Sequence, residues 1–112
     1  MASRFQTSPK IERTVEGIIF DSKKEAKRYA ELRLLQKAGL ITDLTMQKKF
    51  PVEIKGIHYC TYSCDFMYFD VKLGRTIIED VKSTGTSQDA AYRLRKKAAE
   101  LAHNIKIEEV IR

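Results

Sequence analysis

Residues 76–83 read TIIEDVKS. Ile77, Ile78 and Val81 mark a β-strand, and Gly74 and Ser83 bound it with turn residues. The same run carries Glu79, Asp80 and Lys82. Side chains on a strand alternate between faces. Asp80 and Lys82 therefore share a face with Thr76 and Ile78, and Glu79 joins Ile77 and Val81 on the other. A strand charged in this way is either an exposed edge of a sheet or the wall of a catalytic site. The rest of the chain bears on which.

The 112 residues suit one domain with one core. Apolar residues make up 43% and charged residues 32%, a balance that folds rather than one that stays disordered. Lysine and arginine exceed aspartate and glutamate by 21 to 15, for a net charge of +6. Such an excess either keeps a small domain soluble or suits an anionic partner, nucleic acid foremost. No apolar run approaches membrane-spanning length, and the opening MASRFQTSPK lacks an apolar signal core. Cys60 and Cys64 lie on one strand, roughly 13 Å apart along it, too far for a disulfide without a bend. Reduced thiols and a cytoplasmic location follow. His58, Cys60 and Cys64 match no standard zinc spacing. Neither a phosphate-binding glycine loop nor a Ser/His/Asp context is present.

Along the chain, residues 1–13 read as a flexible basic arm, and residues 14–112 as the folded domain. TVEGIIF (14–20) suggests a short strand or hairpin about Gly17. DSKKEAKRYAELRLLQKAGL (21–40) is the clearest helix, with Ser22 as N-cap and Gly39 as stop. Residues 41–54 and 58–70 each read as one strand, with Pro51 near a bend or edge. Residues 76–82 form another, DAAYRLRKKAAELAHN (89–104) a second helix, and residues 105–111 a closing strand. The expected fold class is α/β: a single domain with a mixed sheet flanked by two helices.

Three carboxylates stand out. Glu25 falls in the first helical turn, on the side of Tyr29, Leu32 and Gln36, and Ser22-x-x-Glu25 is also a capping box. Asp65 interrupts an aromatic strand; either its face is wet, or it is buried and needs a partner or a cation. Antiparallel pairing of 58–70 with 75–82 could bring Asp65 beside Asp80. Two bare carboxylates so placed repel, and a magnesium ion removes the conflict. Lys82 on the Asp80 face then stands where it can act on an attacking water or on a phosphate. The alternative is an exposed Asp80–Lys82 ion pair of little worth. In the second helix Ala91, Leu94, Ala98 and Leu101 form an apolar stripe. Tyr92, Arg93, Lys96 and Lys97 lie where a DNA backbone could be held, or they solvate the helix.

The order helix Glu, strand Asp, then Asp-x-Lys resembles the PD-(D/E)XK nuclease superfamily, and more narrowly small phage and prophage proteins with that core. FDSKKEAKRYAEL with Glu25, TYSCDFMYFD with Asp65, IIEDVKS with Asp80 and Lys82, and YRLRKKAAEL carry the likeness, from about Phe20 to Leu101. Asp-x-Lys alone is a weak signal; its order and context strengthen it. The superfamily's nominal proline is absent, since Cys64 precedes Asp65. The resemblance implies a restriction-endonuclease-like domain that cleaves DNA with magnesium, or manganese in its place. It implies Asp65 and Asp80 as metal ligands with Glu25 assisting as a third, Lys82 at the water and Gln47 near the site. It also implies branched DNA, such as a recombination junction, as substrate, and action as a homodimer. A non-catalytic DNA-binding or nuclease-accessory module, or a phage structural protein, is the competing expectation. Glu79 is left as an ion-pair partner for a basic helix.

Overall fold

The structure, a computed structural model, describes residues 8–83, 85 and 89–112. Residues 1–7 of the expected arm, and most of the STGTSQ loop after Lys82, lie outside the described residues. What is described of the arm is fastened down. Lys10–Arg13 forms a 3-10 turn. Arg13 donates to the Ser8 carbonyl at 2.7 Å and to the Phe20 carbonyl at 2.8 Å.

Two short strands, β1 (Thr14–Val15) and β2 (Ile18–Ile19), make the hairpin expected around Gly17. Helix α1 spans Lys23–Lys37. The Ser22 hydroxyl accepts the Glu25 N–H at 3.1 Å, and Gly39 takes φ +78° just past the helix end. Then come β3 (Ile41–Met46), β4 (Lys49–Ile54), β5 (Ile57–Ser63), β6 (Phe66–Asp70) and β7 (Arg75–Lys82). Helix α2 (Ala90–His103) runs from an Asp89 cap to Asn104 in the left-handed region, and β8 (Ile107–Ile111) closes the chain.

The main sheet has the order β3-β6-β7-β8. Its first two pairings are antiparallel, while β7 and β8 run parallel with α2 as the crossover. The alternation of β7 feeds two cores. Ile77 and Val81 pack with Ala26, Tyr29 and Leu32 of α1, and with Phe66 and Tyr68. Ile78 packs with Tyr92 and Ala99 of α2, and with Phe50, Val52, Tyr62 and Cys64. The described residues thus form a small α/β domain with a mixed sheet and the two expected helices. Among the described residues no helix is long and apolar enough to cross a membrane.

Two expectations are corrected. Residues 41–54 and 58–70 are not single strands. The first breaks at Gln47–Lys48 and the second at Cys64–Asp65, so that β4 and β5 leave the main sheet and pair with each other. The break is stitched by Gln47 N–H to the Asp65 carbonyl and Cys64 N–H to the Lys48 carbonyl, both at 3.1 Å. A continuous β-rich composition carries no sign of a change of partner. Secondly, the stripe Ala91, Leu94, Ala98 and Leu101 does not bury as a whole: Ala98 packs against the core, but Ala91, Leu94 and Leu101 are exposed. Leu94 and Leu101 are each 73% exposed, while Tyr92 and Ala99 face the sheet. The small Ala99 side chain permits close approach there, and Tyr92 has a polar partner to reach.

Candidate active site

The β6–β7 register pairs Phe66 with Glu79, so Asp65, one residue before β6, falls beside Asp80. The two carboxylates are cross-bonded through the backbone. Asp65 N–H donates to Asp80 Oδ1 at 2.9 Å, and Val81 N–H donates to Asp65 Oδ2 at 2.8 Å. The remaining oxygens have weaker donors: Tyr92 hydroxyl to Asp80 Oδ2 at 3.3 Å, and Gln47 Nε2 to Asp65 Oδ1 at 3.4 Å. The Ser63 hydroxyl donates to Gln47 Oε1 at 3.1 Å and so turns the Gln47 amide toward Asp65. Asp80 is 1% exposed and Asp65 8%. Burial is the main cause that raises both carboxyls above their ordinary range; backbone N–H bonds and the Lys82 charge pull the other way.

Glu25 and Lys82 join this pair electrostatically. Burial, followed by the charges of Asp65 and Asp21, pushes the Glu25 carboxyl up to about 7, and Lys82 opposes the rise. Glu25 lines a cleft with Phe20, Asp21, Met46 and Gln47. The Lys82 ammonium lies 4.8 Å from the centre of the Tyr92 ring, a cation–π contact that steadies it beside Asp80. The structure therefore brings Glu25, Asp65, Asp80 and Lys82 into one neighbourhood, with Gln47 at its edge.

Glu109 went unnoticed in the sequence. Parallel pairing sets it directly beside Asp80. It raises the Asp80 carboxyl further, competes for the Tyr92 hydroxyl, and keeps a buried Oε2 that has no hydrogen-bond partner. Nothing local in IEEVI (107–111) signals this, because the register of a parallel pair is set across the sheet.

The expected DNA-binding residues divide. Arg93, Lys96 and Lys97 line one concave surface with Ala90, Leu94, Glu100 and Glu109. Tyr92 does not present itself there: it is 6% exposed, with its hydroxyl on Asp80. Its place is beneath the site as a support. Cys64 is likewise core, and burial lifts its thiol to about 11.

Glu79 faces the opposite way. Arg28 of α1 grips it through Nε at 2.7 Å and Nη2 at 3.1 Å, and the Tyr68 hydroxyl donates to it at 2.7 Å.

The donors at Asp65 and Asp80 suit a hard divalent cation: oxygen only, ionisable, and adjacent. Among the described residues no group of three or more His, Cys, Asp or Glu side chains is arranged to hold an ion. A pair of carboxylates is nonetheless the protein share typical of magnesium, which keeps several waters and takes further oxygens from phosphate.

Residues 4–112 match the model of a family described as "Protein of unknown function (DUF1064)". No curated protein and no solved structure matches the chain.

Proposed function

The chain belongs to the DUF1064 family, and we propose that it is a metal-dependent DNA endonuclease of the PD-(D/E)XK type. One observation carries this: Asp65 and Asp80 are buried side by side and cross-bonded by backbone N–H groups, with Lys82 following on the Asp80 face. Two desolvated carboxylates in one place are costly, and a shared cation accounts for their retention. The sequence likeness from Phe20 to Leu101 names the same residues in the same order.

In this reading Asp65 and Asp80 would hold magnesium, with manganese as a substitute. A bound divalent ion supplies a more acidic water and neutralises charge on the phosphate. Glu25, whose carboxyl burial holds above its ordinary range in the metal-free protein, lines the cleft and assists at the edge of the pair. The Lys82 ammonium orients the attacking water or offsets phosphate charge, and Tyr92 holds Asp80 Oδ2. Arg93, Lys96 and Lys97 grip the DNA backbone, which positions the duplex without selecting sequence. Branched DNA as substrate, action as a homodimer and a cytoplasmic location complete the proposal.

The test incubates purified protein with supercoiled, linear and branched DNA in magnesium, manganese or EDTA. Cleavage in either metal and none in EDTA is the expected result. Folded protein that cuts none of these substrates overturns the enzyme; salt-dependent binding without cleavage then marks an accessory DNA-binding module.

A further inference from the structure

The β4–β5 hairpin has no part in the chemistry above, yet it is rooted in the site. Its first strand begins two residues after Gln47, and its second ends two residues before Asp65. The base is firmly held. Phe50, Val52 and Tyr62 are buried against Tyr92 and Ala99. The His103 ring bonds the Pro51 carbonyl at 2.6 Å and sits edge-on to Phe50 at 5.4 Å.

The tip is the reverse of the base. Ile54 and Ile57 face each other across the turn, 50% and 61% exposed. Tyr59, 63% exposed, is the extra residue of a β-bulge: Val52 pairs with Cys60 and Glu53 with His58, so Tyr59 has no partner across the ladder. Bulges recur where a strand must re-aim a side chain. The turn itself is Lys55-Gly56, both left-handed, at φ +51° and +79°. A two-residue hairpin turn takes Asn-Gly or Asp-Gly more readily, so the sequence sets a lysine at the apex against backbone preference. Lys48, Lys49 and Lys55 are exposed along the hairpin, against one exposed carboxylate, Glu53.

An apolar tip with lysines at its apex and its root suits a nucleic acid whose bases can be parted. Minor-groove and architectural proteins insert Ile, Leu or Phe into a base step in this way. A second copy of the chain is less apt. Three side chains at a tip fall well short of the roughly 800 Å² per partner that a stable interface buries. A strand of six residues spans about 20 Å, or about six base pairs.

We propose that the β4–β5 hairpin is a DNA wedge. Ile54, Ile57 and Tyr59 enter an opened base step, Lys55 at the apex holds a phosphate beside it, and Lys48 and Lys49 at the root hold the backbone nearer the cut. This rests on the DNA-cleaving reading and narrows its substrate to DNA with an interrupted or branched base step about six base pairs from the cut.

The test uses junction and nicked duplexes carrying 2-aminopurine at the interruption, with protein added in EDTA so that fluorescence reports base unstacking without cleavage. Wild-type protein raises the fluorescence, and Ile54→Ser/Ile57→Ser/Tyr59→Ser removes the rise while circular dichroism is unchanged. In magnesium or manganese, wild type prefers the interrupted duplex to an intact one by about tenfold, the factor given by about 1.4 kcal/mol of spared unstacking, and the triple variant loses that preference. Wild type that cleaves DNA but leaves the fluorescence flat overturns the wedge and spares the nuclease. Wild type that neither binds nor cuts DNA overturns both. A triple variant that keeps the fluorescence rise, or whose only change is loss of self-association in sedimentation, assigns the tip to another role and overturns the wedge.

Discussion

Glu79 and Asp80 are neighbours in sequence, both carboxylates and both almost fully buried, yet their surroundings are opposite. On the α1 side Glu79 meets Arg28 in a two-pronged ion pair and a Tyr68 hydroxyl, so its charge is neutralised. On the α2 side Asp80 meets Asp65 and Glu109, with a backbone N–H, a distant Tyr92 hydroxyl and Lys82. One face of β7 completes its electrostatics within the protein. The other leaves acidic oxygens short of a cation. Burial alone therefore does not mark a functional carboxylate; the charge of what faces it does.

The largest expected effect tests the Glu79 face. Glu79→Ala leaves the Arg28 guanidinium with Glu31 alone and the buried Tyr68 hydroxyl without its acceptor, and should destabilise the fold by about 2–4 kcal/mol in urea unfolding. A loss below about 1 kcal/mol would equate the pair with an ordinary surface ion pair and remove half of the contrast. Next comes Asp80→Asn. It keeps an acceptor for the Asp65 N–H while removing a desolvated charge, so stability should hold or rise. Cleavage should fall by about 10²–10³-fold. Stability lost to the same degree as in Glu79→Ala would make both carboxylates structural.

The smallest effect is a pH slope. The Glu25 carboxyl sits at about 7 in the fold against an ordinary value of 4.5. Between these values the folded protein binds more protons than the unfolded one, so stability rises as pH falls through 7 toward 4.5. Melting of metal-free protein across that window should show the slope, and Glu25→Gln should flatten it. An unchanged slope in the variant would take Glu25 out of the acidic cluster.

Much of this was legible along the chain wherever the signal was local. Ser22 and Gly39 bracket α1, and Asp89 and Asn104 bracket α2, because caps and left-handed stops act within one helical turn. Strand alternation separated Asp80 from Glu79. The turn of α2 about its axis is not set by its apolar stripe: Leu94 and Leu101 end in the open, since the sheet beneath offers Asp80 and Glu109 to Tyr92 instead. Arg28 as the partner of Glu79, and Glu109 as the neighbour of Asp80, lay beyond any local pattern.

Local chemistry by itself determined the two helices, the period-two faces of β7 and the pairing of Asp80 with Lys82 on one side, because caps and pleats act over a few residues. Tertiary structure alone decided that two long β-rich runs break to form a separate hairpin. It also fixed the register that sets Asp65 beside Asp80, one of the pairings open to the sequence, and it alone decided that Glu109 completes the row. Strand register is chosen by partners far apart in sequence, and by which face of each helix the finished sheet can accept.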